Sequence, residues 1–147
     1  MPKEYDIEQL LADDEIICVK PQGYSMYPMF VPGRDAAIIK RADIDHLKRS
    51  DVVLYRRPGS KLVLHRIVKV TADGYYMVGD NQVAVEGPVD KEQIRGILVE
   101  FIRKGHHISV HNPIYWCASH LWLRLRPIRM HIMRPLAKLK KAWRKRK

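Results

Sequence analysis

The chain has 147 residues, 46% hydrophobic and 29% charged, which is the length of one domain with enough apolar material for a core and excludes a disordered or collagen-like polymer. The formal net charge of +11 sits at one end: eleven of the 27 Lys and Arg fall between Arg124 and Lys147, where there is no acid, so the first 123 residues are balanced. A cationic tail on a neutral body points to an anionic partner surface, lipid headgroups or nucleic acid, against the plainer reading of a solvated tail.

Taken in chain order, residues 1–15 are polar and acidic, unlike a secretory signal. Residues 6–12 suit a short helix, and residues 15–21, with Ile16, Ile17 and Val19, suit a strand. Further strands are predicted at 36–40, 51–56, 61–71, 75–78 and 96–102, all rich in Val, Ile and Tyr. Pro58-Gly59-Ser60 is a turn, and Ala72-Asp73-Gly74 is an Asp-Gly hairpin signal joining the strands on either side. The expectation is a mainly β, mostly antiparallel domain: a lead-in at 1–20, a body at 21–112 and a basic amphipathic tail at 113–147. Cys18 and Cys117 lie far apart without zinc or Cys-x-x-Cys spacing, so neither a disulfide framework nor a metal site is expected from them.

In the tail, Trp116, Leu121, Trp122, Leu123 and Leu125 interleave with Arg124 and Arg126; Ile128, Met130, Ile132, Met133, Leu136, Leu139 and Trp143 follow among basic residues. Tryptophan and leucine beside cations suit an interfacial helix lying among headgroups, and favour lipid over nucleic acid. No run approaches the roughly 20 apolar residues of a spanning helix, so peripheral association is expected, with the side of the membrane left open. Pro127 and Pro135 are expected to divide or kink the helix.

Three segments carry chemistry: Gly23-Tyr24-Ser25-Met26-Tyr27-Pro28, then Leu64-His65-Arg66-Ile67-Val68, then Gly79-Asp80-Asn81. A serine hydroxyl attacks a carbonyl only when a base takes its proton and a third group orients that base. Ser25, His65 and Asp80 supply such a set. Each also has an ordinary reading: a turn serine, a hydrogen-bonded core histidine, a turn-capping aspartate. A histidine with its reference pKa near 6.5 needs little tuning to act as a base, so activity rising through about pH 6 to 7 is expected.

These boxes, with Ser50-Asp51-Val52-Val53 between them, resemble those of the serine peptidases that include signal peptidase I and LexA-like repressors, in particular the histidine-using signal peptidases. That family carries Gly-x-Ser-Met-x-Pro, Gly-Asp-x-Val, His-Arg-hydrophobic and Gly-Asp-Asn followed by a second acid; the likeness spans roughly residues 20 to 104. It implies a coiled, barrel-like β fold and a serine endopeptidase with Ser25 as nucleophile, His65 as base and Asp80 as its orienter. The second acid falls on Glu86, which is the alternate. The oxyanion would be held by the Ser25 N–H, with Gly23, where some relatives carry a serine, supplying backbone conformation only. Substrates would be peptides or precursor proteins with small side chains beside the scissile bond, bound as extended strands. No metal or organic cofactor is implied.

The transmembrane helix that usually precedes the serine has no counterpart in the twenty residues here, so either a soluble protein or an anchor elsewhere is expected. Two rivals to a general signal peptidase stand beside it: a peptidase-like binding module without turnover, and a dedicated processor of one precursor. His106-His107 with His111 lacks a further ligand at metal spacing, and Arg34, Arg56 and Arg57 read as solvated surface.

Overall fold

The computed structural model describes residues 6–13, 15–59 and 61–146, without the side chains of Lys61, Met130, Met133, Leu136 and Ala137; the predicted turn residue Ser60 therefore lies outside the described residues. Alternating apolar residues and turn signals produce eight strands: β1 (Ile17–Val19), β2 (Asp35–Arg41), β3 (Val52–Arg57), β4 (Lys61–Thr71), β5 (Gly74–Val78), β6 (Glu86–Val89), β7 (Ile94–Arg103) and β8 (His106–Ser109). They form one sheet in the order β1-β2-β7-β3-β4-β5-β6, with β8 also on β7, and every pairing is antiparallel. Mainly β is thus the observed class. The sheet is not closed: β1 and β6 stand at its two ends.

Both faces of the sheet are covered. Along β3, Val52 and Leu54 enter one apolar cluster with Met26, Phe30, Leu98 and Phe101, while Val53 and Tyr55 enter a second with Ile67, Met77, Val89 and Ile94. Successive strand side chains point to opposite faces, so a strand buried on both sides reads as the continuous run Val52-Val53-Leu54-Tyr55. The same alternation governs β4, where His65 lies opposite Val53 and Arg66 opposite Val52. The two residues of the His-Arg pair therefore project to different faces.

Three helices complete the fold. In α1 (Ile7–Ala12) the Asp6 carboxylate caps the N–H groups of Glu8 and Gln9, and Glu8 reaches the sheet, accepting from Arg56 at 2.6 Å and Arg95 at 2.8 Å. Arg56 and Arg34, read as solvated surface, are in fact ion-paired, the latter with the buried Asp35.

The region read as a basic tail divides in two. The first helix, α2 (Pro113–Arg124), is capped by Asn112 and buries Tyr115, Ser119 and Leu123 against the body. Pro127 falls in the link, and Arg129, the first residue of α3 (Arg129–Lys145), is buried as well. Beyond it α3 continues through Pro135, with Ile132, Leu139 and Trp143 exposed. No helix among the described residues is long and apolar enough to cross a membrane.

Sequence reasoning missed β6 and β8. Gly87 and Pro88 obscure the period of β6, and His106-His107, weighed as metal ligands, form a hairpin with β7 in which His106 pairs with Arg103.

One backbone position tests this frame. Ser50, where the resemblance carries glycine, has φ +82°, a region that costs a residue with a Cβ about 1–2 kcal/mol. Ser50→Gly is expected to raise the unfolding free energy by about 0.5–1 kcal/mol, net of the added freedom of the unfolded chain, as read by urea denaturation.

Candidate active site

Ser25 opens a turn between β1 and β2, in which the Tyr27 N–H bonds Tyr24 O at 3.1 Å and the Phe30 N–H bonds Met26 O at 2.9 Å. Met26 and Phe30 are buried and anchor the turn in the core. Gly23 precedes it at φ +76°. Ser25 itself is part-exposed, and its N–H makes no hydrogen bond among the described residues, so the donor expected to hold an oxyanion is unpaired.

The turn is pinned by the Gly79-Asp80-Asn81 segment, which follows β5. The Asn81 N–H donates to Ser25 O at 2.9 Å. Close approach is what requires glycine at 79: a Cβ there would stand 2.5 Å from Ser25 O and 2.7 Å from Gln82 Oε1. The C-terminal helices hold the same segment from behind. Trp122 Nε1 donates to Asp80 O at 2.7 Å, Arg126 Nη1 to Val83 O at 3.0 Å and Arg129 Nη2 to Gly79 O at 2.9 Å.

Ser25 and His65 line one cleft of about 420 Å³, together with Gly23, Met26, Arg57 and Gln82 and with apolar walls from Val19, Leu54, Leu62 and Leu64. No hydrogen bond joins Ser25 to His65 among the described residues. The two expected acids, Asp80 and Glu86, lie elsewhere than beside the imidazole. Both Asp80 oxygens accept from Arg66, Nε to Oδ1 at 2.8 Å and Nη2 to Oδ2 at 2.9 Å, so the carboxylate expected to orient His65 is bonded to the next residue on β4 instead. The cause is strand alternation, which turns Arg66 toward Asp80 and His65 away.

On its own face His65 Nδ1 meets the Tyr55 hydroxyl at 3.3 Å, and Tyr55 in turn meets Glu86 Oε2 at 2.9 Å. Glu86 also accepts from Arg57, at 2.9 Å from Nε and 2.5 Å from Nη2. Glu86 thus reaches the histidine through a tyrosine rather than directly. Sequence reasoning missed Tyr55 and read Arg57, in fact paired with Glu86, as solvated surface. Period-two alternation does put Val53, Tyr55 and Arg57 on one face, but only the β3–β4 register brings that face to His65.

The electrostatics follow from these placements. Burial pushes the His65 pKa down to about 4, with the Arg57 charge adding to the shift, while Glu86 and Asp80 oppose it. The Arg57 hydrogen bond holds Glu86 below the usual carboxylate range against the effect of burial. Burial, then the Glu86 hydrogen bond, raises the Tyr55 phenol. An imidazole so shifted differs from the unperturbed one behind the expected limb at pH 6 to 7, and as a base it would be neutral down to more acid pH.

Over 76 residues the chain is 32% identical to signal peptidase I W of Bacillus subtilis (strain 168). This similarity supports the signal peptidase I family. The match covers 48% of this chain and 40% of that protein, and it supports a signal-peptidase-like peptidase in general terms. No protein-family model matches the chain, and no solved structure does.

The His65 ring is expected to titrate near pH 4 when followed by NMR on the full chain. Its folded pKa lies below its unfolded one, so the neutral ring favours folding above about pH 6.5, and this contribution is lost as pH falls through about 4. The loss is on the order of 3 kcal/mol, measurable as the difference between wild type and His65→Asn in urea unfolding at successive pH values. A ring titrating near 6.5 would contradict the burial seen here.

Proposed function

We propose that the chain is a serine endopeptidase of the histidine-using signal peptidase type, acting on a secreted or leader-bearing precursor. The observation that carries this reading is the convergence of Ser25 and His65 on one cleft. Ser25 Oγ attacks the scissile carbonyl while its proton passes to His65 Nε2, and the developing oxyanion lies against the Ser25 N–H. The imidazolium returns the proton to the leaving amine, giving an acyl-enzyme, and a water activated by His65 then releases the acyl group as a carboxylic acid and restores Ser25. Asp80 serves by holding Arg66 and the Gly79–Asn81 turn behind the serine, and by favouring the imidazolium through its charge.

The cleft suits an extended peptide. Along β4, residues 61–66 pair with β3 and residues 66–71 with β5, so the strand edge at residues 62–65 turned away from β3 has no ladder partner among the described strands. A substrate strand can add there, which brings its carbonyl along the wall that ends in His65. The apolar lining from Val19, Leu54, Leu62 and Leu64 fits uncharged side chains.

A second reading, a peptidase-like module that holds extended peptides without turnover, draws on the missing Ser25–His65 hydrogen bond. Such bonds are commonly long before substrate binds, so turnover is the stronger reading.

The exposed apolar residues of α2 and α3, Ile114, Trp116, Leu121, Ile132, Leu139 and Trp143, lie among cations and support peripheral association with an anionic lipid surface. The full chain is expected to co-sediment with vesicles of phosphatidylglycerol and phosphatidylcholine. It should bind phosphatidylcholine alone weakly, and be released from the mixture by about 0.5 M salt, where charge attraction is screened.

The catalytic reading is tested by comparing protein N-termini, by mass spectrometry, in host cells carrying wild type or Ser25→Ala at equal abundance. New termini present with wild type and absent with the variant are expected, since loss of the nucleophile removes activity by about 10³-fold or more. Identical termini would favour the binding module.

A further inference from the structure

We infer that Tyr55 is the positioning residue for His65, holding it in the Nδ1–H form through a hydrogen-bond chain whose direction Arg57 and Glu86 impose. The inference rests on the reading of His65 as the base, and it assigns to a tyrosine the place that an aspartate holds in a Ser-His-Asp set.

The direction of the chain follows from counting protons, beginning at Arg57. A guanidinium only donates, and it gives two hydrogen bonds to Glu86, 2.9 Å to Oε1 and 2.5 Å to Oε2. Glu86 is consequently a carboxylate at neutral pH, and a carboxylate only accepts. Tyr55 stands 2.9 Å from Glu86 Oε2, so its one hydroxyl proton points to Glu86. What remains on the Tyr55 oxygen is acceptor capacity, and His65 Nδ1 lies 3.3 Å away. Two acceptors facing each other repel, so Nδ1 must carry the hydrogen. The lone pair of the neutral ring is then on Nε2, the nitrogen left for Ser25.

Nothing else among the described residues performs this task. Both oxygens of Asp80 are engaged by Arg66, and Tyr55 is the one hydrogen-bond partner of the His65 ring among the described residues. Tyr55 is also rigidly held. It has no exposed surface and packs in the cluster of Val53, Ile67, Met77 and Ile94, so its oxygen stays in place as the ring gains and loses a proton. When His65 takes the serine proton, the positive charge on the ring is linked through the Tyr55 oxygen to the Glu86 carboxylate, with no proton leaving Tyr55. Arg57 opposes that charge and Glu86 favours it. The arrangement fixes orientation and tautomer more than it raises basicity.

The test is a long-range ¹H–¹⁵N correlation spectrum of the histidine-labelled full chain at pH 7, which distinguishes the two ring nitrogens and needs no substrate. Wild type is expected to show His65 with Nδ1 protonated and Nε2 bare. Tyr55→Phe keeps the ring and its packing but removes the oxygen, and should move His65 toward the Nε2–H form. Glu86→Ala removes the acceptor of the Tyr55 proton, which frees the hydroxyl to donate to His65 Nδ1 and should move the ring the same way, and this keeps the test decisive if Tyr55→Phe fails to fold. A wild-type ring protonated on Nε2, or a tautomer unaltered in the folded variants, would overturn the inference. Ser25→Ala should leave the tautomer as it is, so loss of the peptidase reading and loss of this one are told apart. With a cleaved peptide in hand, Tyr55→Phe should lower kcat by about tenfold or more with KM little changed.

Discussion

Arg66 and Asp80 meet inside the protein as a guanidinium and a carboxylate with no exposed surface, joined by two parallel hydrogen bonds. Burial by itself would lower the Arg66 pKa, but the Asp80 charge and the hydrogen bonds outweigh it and keep the group charged. The remaining donors of Arg66 reach Ser50 O at 2.9 Å and the Tyr115 hydroxyl at 3.4 Å. One side chain thus ties four pieces of chain together: the middle of β4, the turn after β5, the start of β3 and the buried face of α2. Such a pair contributes little net stability compared with an apolar replacement, yet removing one partner costs about 3–5 kcal/mol, because the other is left charged and unpaired.

The candidate site hangs on that junction. Asp80 sits in the turn whose next residue, Asn81, donates to the Ser25 carbonyl, so the ion pair sets how far the serine loop stands from β4. His65 is placed by the same strand but served by different partners, since adjacent residues of β4 face opposite sides. The buried pair positions the serine's loop, while the Tyr55-Glu86-Arg57 chain meets the imidazole. The two acids of the Gly-Asp-Asn region divide accordingly, Asp80 to the first task and Glu86 to the second.

The C-terminal segment joins both the site and the surface. From Trp122 to Arg129 it closes over the Gly79–Val83 segment: Trp122 and Arg126 donate to the carbonyls of Asp80 and Val83, and Arg129 to that of Gly79, which also accepts from the Gln82 N–H. Its second part, α3, projects Leu139 and Trp143 among lysines and arginines. The charge asymmetry was plain in composition. The dual use was not: Trp122 and Trp116 sit six residues apart in the same helix, and only docking separates the one that bonds Asp80 O from the one that remains exposed.

Local chemistry determined most of the strands. Period-two alternation in residues 61–71, the run of β3 and the turn at Ala72-Asp73 are properties of neighbouring residues, and the Asp6 cap and short α1 are equally local. The motifs at Ser25, His65 and Gly79–Asn81 were likewise visible, because each needs particular residue types at adjacent positions. Which side chains pair across the sheet depended on register and on the packing of α2, neither of which leaves a trace in any short window. Asp80 was legible as a carboxylate near a histidine box, but its assignment to Arg66 rather than His65 follows from which face of β4 each side chain occupies relative to the turn. Tyr55 was one residue of a strand rich in Val, Ile and Tyr, and becomes a partner of His65 only because β3 and β4 pair with Val53 opposite His65. The sequence by itself determined the elements and the reactive residue types, through propensity and periodicity; the tertiary structure alone decided which carboxylate meets which cation, because hydrogen-bond geometry is set by contacts between segments far apart in the chain.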